Sequence, residues 1–577
     1  MKLELVKGSR SRVLAALLFA IMVIFAGRLF YLQVIQYGYY AGLAKGEQQK
    51  RLSLPAKRGE IFALEHGTPV ELVMNETVYT VFADPQIIKN DEKVIVAVQE
   101  IAGGNAVDDM KARLANKESR YQILATKLSR VQAKKLKEKD LSGVGFQEVS
   151  QRVYPEGGLA AQTLGFVNTD GTGTYGVESA LNDRLKGEDG LLVAVTDISD
   201  VPLTIGNSNI NIPAKDGDDI VLSIDRNVQA KAEQALADGL KRTGATNGSA
   251  IVIDPQTGHV MAMATLPSYK PGEYYNVPDA AAFNNVPTSS PYEPGSVIKT
   301  FTMATGIDKG VVSPDSTYVN TDYIKIEDRV VSNAEKGHTG TITLQSAMNW
   351  SLNTGFVTVA QRLGNGTEIN QQARDTMYDY FHNRFHMGEE TGIEVAGEQA
   401  GEIVPARSSE GNAVRYSNMA FGQGMNVTMV QTAAAFSALV NGGKYYQPTV
   451  IAGVIKDGQL IPQDIKAPAQ IIKSTTSDQL RIMTRTARAT LLNNGDKPGY
   501  TIGGKTGTAE TIVNGAYTDK QTVGSYLGFG GDETARYVIM VQVSGKNLPM
   551  QGARHAMPIF TDISNWMLDY LKVQPKE

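Results

Sequence analysis

Three short segments of this chain carry residue types at spacings that can do acyl-transfer chemistry. Ser296 and Lys299 stand three apart in YEPGSVIKTFTMATGIDKG, Ser351 and Asn353 two apart in MNWSLNTGF, and Lys505, Thr506 and Gly507 are consecutive in TIGGKTGTAE. On a helix, residues three apart share a face, so the spacing lets the Lys299 amine reach the Ser296 hydroxyl. Pro294-Gly295 sits where a helix begins, which leaves Ser296 in the first turn beside free backbone N–H groups. A serine hydroxyl attacks poorly until a neighbouring base takes its proton. A lysine does this only when neutral, and both burial and a second cation, Lys505, push its proton affinity down. Ser351 can relay the proton, and Lys505 on a strand can hold a substrate carboxylate. The chain has no cysteine, so a thiolate nucleophile, a disulfide framework and a thiolate metal site are excluded.

Other segments imitate functional motifs. Gly499–Thr506, GYTIGGKT, matches the phosphate-loop pattern letter for letter, but that pattern needs a strand before it and a helix after it. Here NNGDKPG precedes and TGTAETIVNG follows, a turn and a strand. Gly171–Gly176 matches the dinucleotide fingerprint without the preceding strand and reads as a loop. Glu178–Asn182, ESALN, imitates a deacylation motif but lies far upstream of Ser296, and a structural role is expected. His382 and His386 are four apart without a third ligand in view, and no metal or cofactor is expected.

The elements that must position the three segments follow from periodicity. Ile220 begins a strand, IVLSI, and RNVQAKAEQALADGLKR follows as an amphipathic helix. GSAIVIDPQTGHVMAMAT reads as a hairpin turning on Asp-Pro-Gln-Thr-Gly. TIGGKTGTAETI, GSYLGFGG and RYVIMVQVSG read as further strands, and PIFTDISNWMLDYLKV as a closing helix. Strands at both ends of a helical middle predict an α/β sheet with helices on its faces. Residues 36–215 form a mixed region with a boundary near IPAKDGDD, opening on RLSLPAKRGEIFALEHGTPV, a loop-and-strand pattern. Within it, Asp108–Asp140 carries lysines, arginines and leucines at helical spacing and reads as a solvated helix face.

The 577 residues exceed one core, and a hydrophobic content of 42% with 20% charged residues is globular. A net charge of −4 excludes a strongly basic nucleic-acid binder. Residues 13–35 carry no charge apart from Arg28 and are long enough at about 1.5 Å per residue to cross a hydrocarbon core of about 30 Å. Lys2, Lys7, Arg10 and Arg12 precede this run against a single Glu4, so the basic flank stays in the cytoplasm and the rest is exported. Lacking a small-residue cleavage site, the run reads as an uncleaved anchor.

The order of Ser-x-x-Lys, Ser-x-Asn and Lys-Thr-Gly resembles that of penicillin-binding proteins and related serine β-lactamases. Over nearly its whole length the chain resembles a class B penicillin-binding protein, a monofunctional peptidoglycan D,D-transpeptidase. RGEIF, RVYPEGGLAAQTLGFV, GTYGVESALNDRLKGEDG, VIDPQTGHVMAMATLPSY, YEPGSVIKT, TGIEVAGE, GQGMNVTMVQ and KTGTAE carry the resemblance in order. It departs at ALEHG, where the family has a D-R-N-G-type turn. The resemblance implies a cytoplasmic tail (1–12), a membrane helix (13–35), a pedestal of the dimerisation type (36–215) and a transpeptidase domain (216–577). It implies Ser296 as the acylated nucleophile, Lys299 as its base, Ser351 as proton shuttle, Asn353 orienting Lys299 and the donor amide, and Lys505 with Thr506 marking the donor strand. Thr508 would bind the terminal carboxylate, and Ser296 and Thr508 would supply oxyanion N–H groups. The implied partners are D-Ala-D-Ala stem peptides, β-lactams, the bilayer, a membrane glycan polymerase and division or elongation proteins. A division role is favoured by YEPGSVIK. The alternatives are an elongation-type enzyme, a β-lactamase or β-lactam sensor, and an inactive scaffold of the wall complex.

Overall fold

A computed structural model of the chain describes residues 9–40, 49–195, 210–491, 495–513 and 516–576. Lys2, Glu4 and Lys7 lie outside the described residues. The chain folds as two compact units, residues 1–58 with 186–217, and residues 59–185 with 218–577.

In the first unit, helix Ser9–Phe30 runs on through a π-helical turn, Tyr31–Ile35. Within Arg10–Ile35 an 18-residue stretch has a mean hydropathy of 2.5, and the helix is long and apolar enough to cross a membrane. Near the far end the Arg28 guanidinium lies 5.5 Å from the Tyr31 ring centre. This unit also holds a three-stranded antiparallel sheet in the order Gln49–Leu54, Gly190–Val195, Ile210–Ile212.

The second unit is built on two sheets. One is antiparallel, with strands in the order Val260–Leu266, Asn247–Ile253, Ala535–Ser544, Ala516–Gly531 and Thr501–Val513. Its apolar runs are explained by cover on both faces. Side chains of a strand alternate between faces. Val538 and Met540 accordingly join one core with the wholly buried helix Met429–Val440. Tyr537, Ile539, Val541 and Val543 join another with helices Arg226–Thr243 and Met557–Tyr570. Asp225 starts the first of these helices as its N-cap, accepting from the N–H groups of Asn227 and Val228 at 3.0 and 3.1 Å. This is the helix-covered sheet expected from the sequence, with the Asn247–Leu266 hairpin and the three C-terminal strands in it.

The other sheet has seven strands. Gln459–Pro462, Ile451–Lys456, Asp219–Asp225, Ile61–Glu65 and Thr68–Ala83 follow in order, and Gln122–Leu128 and Val144–Val153 both pair with Thr68–Ala83. The IVLSI strand belongs here, parallel to Ile61–Glu65 and antiparallel to Ile451–Lys456. The ALEHG departure forms a tight hairpin. His66 and Gly67 have φ of +50° and +82°, and the His66 ring stacks on Tyr570 at 4.4 Å.

The Asp108–Asp140 expectation is corrected. Two short helices, Met110–Ala115 and Arg130–Lys137, flank strand Gln122–Leu128, whose Leu124, Ala125 and Leu128 are buried. Pairing with the long strand Thr68–Ala83 outweighs the helical preference of the flanking lysines and leucines.

Candidate active site

The Ser296 turn begins where two backbones nearly touch. Gly295–Ile298 is a 3₁₀ turn feeding directly into helix Lys299–Asp308, every residue of which is buried. Gly295 has φ of +63°, and a Cβ there would lie 2.7 Å from the Thr508 carbonyl oxygen. From the opposite side, a Cβ on Gly507 would lie 2.8 Å from the Pro294 carbonyl oxygen. Only glycine permits both the left-handed turn and this approach. The turn is therefore seated against strand Thr501–Val513, the edge of its sheet. The Gly295 N–H donates to the Gly422 carbonyl at 3.0 Å. Ser525, paired with Gly507 in register, donates to the Pro294 carbonyl at 3.4 Å.

Ser296 is half-buried, and its hydroxyl makes no hydrogen bond among the described residues. Lys299, one helical turn on, is fully buried with its ammonium 5.6 Å from the Phe356 ring centre. Its Nζ donates to the Ser351 carbonyl at 2.6 Å and to Ser351 Oγ at 3.1 Å. Lys505 arrives from the edge strand and donates to the same Oγ at 2.8 Å, and to Thr506 O and Oγ1 at 3.2 Å. Ser351 itself has φ of +56° in the link between helices Leu344–Asn349 and Asn353–Arg362. A non-glycine residue in that region is held there by its surroundings at a cost of about 1–3 kcal/mol. Here the conformation turns both the carbonyl and the hydroxyl of Ser351 to the lysines.

Electrostatics follow from this packing. Burial, reinforced by the Lys505 charge, lowers the Lys299 amine well below the ordinary lysine range. Burial likewise lowers Lys505, to about 7, against an opposing contribution from the Glu335 carboxylate. The Ser351 hydroxyl accepts from both lysines, so its own hydrogen is free to donate. Two buried lysines thus converge on one serine oxygen beside the Ser296 turn.

The residues named from sequence are brought together, with two differences in detail. The Lys299 amine bonds to Ser351 rather than to Ser296. The Asn353 amide donates to the Ser332 carbonyl at 2.8 Å rather than to Lys299. Thr506 is half-buried, Gly507 buried, and Thr508 exposed on the edge strand, its Oγ1 accepting from the Gly552 N–H at 3.2 Å. Sequence reasoning missed Phe356, Ser525, Gly422 and Glu335. Phe356 ends the MNWSLNTGF segment, Gly422 opens GQGMNVTMVQ and Ser525 lies in the GSYLGFGG strand, but their spacing alone does not tie them to the two lysines, and Glu335 comes from a separate loop.

The imitating motifs go elsewhere. Residues Thr501–Val513 continue as strand past the phosphate-loop lookalike. Gly171–Gly176 is a turn leading into a two-residue strand, Gly173–Thr174. Glu178 is buried and paired with Arg152 at 2.8 Å, and Arg152 also donates to Asn75 at 2.9 Å. His382 Nδ1 faces the Met387 carbonyl at 3.0 Å and His386 Nδ1 faces Glu389 at 2.6 Å, so the two rings have separate partners.

A family model described as the penicillin binding protein transpeptidase domain matches residues 248–565, and one described as the penicillin-binding protein dimerisation domain matches residues 53–222. Stage V sporulation protein D of Bacillus subtilis is 30% identical over 98% of this chain and 87% of its own length. The probable peptidoglycan D,D-transpeptidase PenA of Neisseria meningitidis is 27% identical over 97% of this chain and 92% of its own. In fold, the chain is similar to the crystal structure of penicillin binding protein 2X from Streptococcus thermophilus. The TM-score is 0.72 at 22% identity, over 91% of this chain and 80% of that one.

Proposed function

The chain belongs to the penicillin-binding protein transpeptidase family, and on that premise we propose how its site performs peptidoglycan D,D-transpeptidation. The observation that carries the proposal is the convergence of Lys299 Nζ and Lys505 Nζ on Ser351 Oγ, at 3.1 and 2.8 Å, beside the Ser296 turn.

A donor stem peptide lies along the exposed edge of strand Thr501–Val513, adding to the sheet as an extended chain. Its terminal carboxylate is held by Lys505, Thr506 and Thr508. Neutral Lys299 takes the Ser296 proton as Oγ attacks the penultimate D-Ala carbonyl. The resulting oxyanion is held by the backbone N–H groups of Ser296 and Thr508, a contribution for which losing one donor costs about 100- to 1000-fold. The proton passes through Ser351 to the departing D-Ala amine, and the acyl group stays on Ser296. An amine from a neighbouring strand then attacks the ester and completes the cross-link. Asn353, anchored to Ser332, orients the donor amide.

A β-lactam offers a strained amide next to a carboxylate, so Ser296 opens it by the same step and remains acylated. We assign residues 36–215 to a pedestal and 216–577 to the transpeptidase domain. The apolar helix fits a single-pass anchor. The basic residues before it favour a cytoplasmic N-terminus, with the catalytic part outside and a glycan-polymerising membrane protein as partner. The Tyr292–Lys299 block favours septal synthesis. Depletion in a host that depends on this chain should give filaments, and rounded cells would assign it to elongation instead. The reaction is tested with a synthetic D-Ala-D-Ala pentapeptide and an amine acceptor. One D-Ala should be released per new amide bond. A folded protein releasing none would contradict the proposal.

A further inference from the structure

The loop Ser332–His338 has no task in the steps above, yet it is fastened to the site along its length. The Asn353 amide donates to the Ser332 carbonyl at 2.8 Å. Buried Asn333 accepts from the Thr354 N–H at 3.1 Å and from its hydroxyl at 3.2 Å, and donates to Asn320 at 3.1 Å. The Gly337 N–H donates to Asp322 at 2.8 Å, and Asn320 donates to the His338 carbonyl at 2.8 Å. The His338 ring stacks at 4.6 Å on Trp350, the residue before Ser351. A satisfied network of this kind holds a loop rigidly. Between the fastenings, Ala334, Glu335 and Lys336 are exposed. A carboxylate is thus presented to solvent on a loop fixed beside Ser351 and Asn353. Its field reaches the interior, where it opposes the loss of the Lys505 proton.

The cross-linking step brings an amine to this mouth. The donor occupies the strand edge, and the amine acceptor arrives as an ammonium ion at neutral pH. We propose that Glu335 recognises the ammonium group of the acceptor and draws it to the acyl-enzyme before attack, an inference that rests on the transpeptidase reading. The held ammonium first gives one proton to solvent, and the lone pair so freed forms the amide bond as the Ser296 Oγ–carbon bond breaks. Oγ recovers a second proton from the nitrogen through Lys299 and Ser351, and the third stays on the amide.

The experiment reads how one acyl-enzyme divides between water and amine, so any change in how fast it forms drops out. The purified protein is acylated with a small thioester ending in D-Ala. Aminolysis is then compared with hydrolysis for D-alanine amide, largely cationic near pH 7, and for hydroxylamine, largely neutral there. Glu335→Gln should lower the D-alanine amide ratio by about 2- to 5-fold, the range of an exposed ion pair. It should leave the hydroxylamine ratio unchanged, and the difference should shrink at high salt. Glu335→Asp should restore most of the ratio, and Lys336→Ala should not lower it. Equal losses for both amines, or an equal loss in Lys336→Ala, would overturn the inference. If the parent forms no acyl-enzyme, the transpeptidase reading itself has failed.

Discussion

Two lysines of one kind meet at a single serine oxygen, and their protonation must differ for the chemistry to run. In the proposed mechanism Lys299 is neutral to accept a proton, whereas Lys505 is charged to hold a carboxylate. Lys299→Arg keeps a permanent charge and cannot act as a base near neutral pH. It should lose nearly all acylation, whereas Lys505→Arg keeps charge and donors and should retain a measurable fraction. Second-order acylation rates of the two folded variants with one β-lactam check this, and equal losses would remove the distinction. The pH profile follows from the same pair. That rate reports the free enzyme, in which Lys505 gives up its proton near pH 7. The rate should therefore fall as pH rises through about 7, and fall again in acid as Lys299 gains a proton. A profile flat from pH 6 to 9 would show that Lys505 is not needed as a cation. At this scale the sequence was informative because each named residue sits in a short motif. The Glu335 field and the left-handed Ser351 were not legible, since both depend on segments that meet only in the fold.

At the scale of elements, the active-site turn works because a 3₁₀ turn, a buried helix and an edge strand approach at backbone distance. Gly295→Ala would place a Cβ 2.7 Å from the Thr508 carbonyl oxygen in a left-handed conformation. Strain of about 1–2 kcal/mol is expected from the conformation alone, together with a large loss of acylation because the turn must shift off the strand. Thermal melting and acylation rate measured together check this, and full activity would show that the approach is not needed. The Arg152–Glu178 pair makes the opposite case. Its removal by Glu178→Ala strands a buried cation and should cost about 3–5 kcal/mol. The lifetime of a β-lactam adduct should stay unchanged at a temperature where the variant is folded. A longer-lived adduct would instead give Glu178 a part in deacylation. The hairpin, the helix after Asp225 and the three C-terminal strands were legible as periodic runs with turn residues between them. Strand Gln122–Leu128 was not, because it is fixed by pairing with a strand about forty residues earlier.

For the molecule as a whole, an apolar helix and a catalytic unit imply that anchoring and chemistry are separable. A chain lacking residues 1–35 should leave the membrane fraction while keeping its acylation rate within about threefold. Loss of labelling in the folded soluble protein would tie catalysis to the anchor. The two-sheet organisation of residues 59–185 with 218–577 was only partly legible. The change of sequence pattern at Ile220 leads one to expect a boundary near residue 215, whereas the sharing of one sheet by Ile61–Glu65 and Asp219–Asp225 arises from pairing across more than 150 residues and leaves no local mark. The central claim remains that Ser296 is the residue acylated. Mass spectrometry of the protein treated with a β-lactam tests it most directly. A single adduct on the peptide bearing Ser296, absent from a folded Ser296→Ala variant, is the predicted result. An adduct on Ser351 or any other residue, or one that survives in Ser296→Ala, would contradict it.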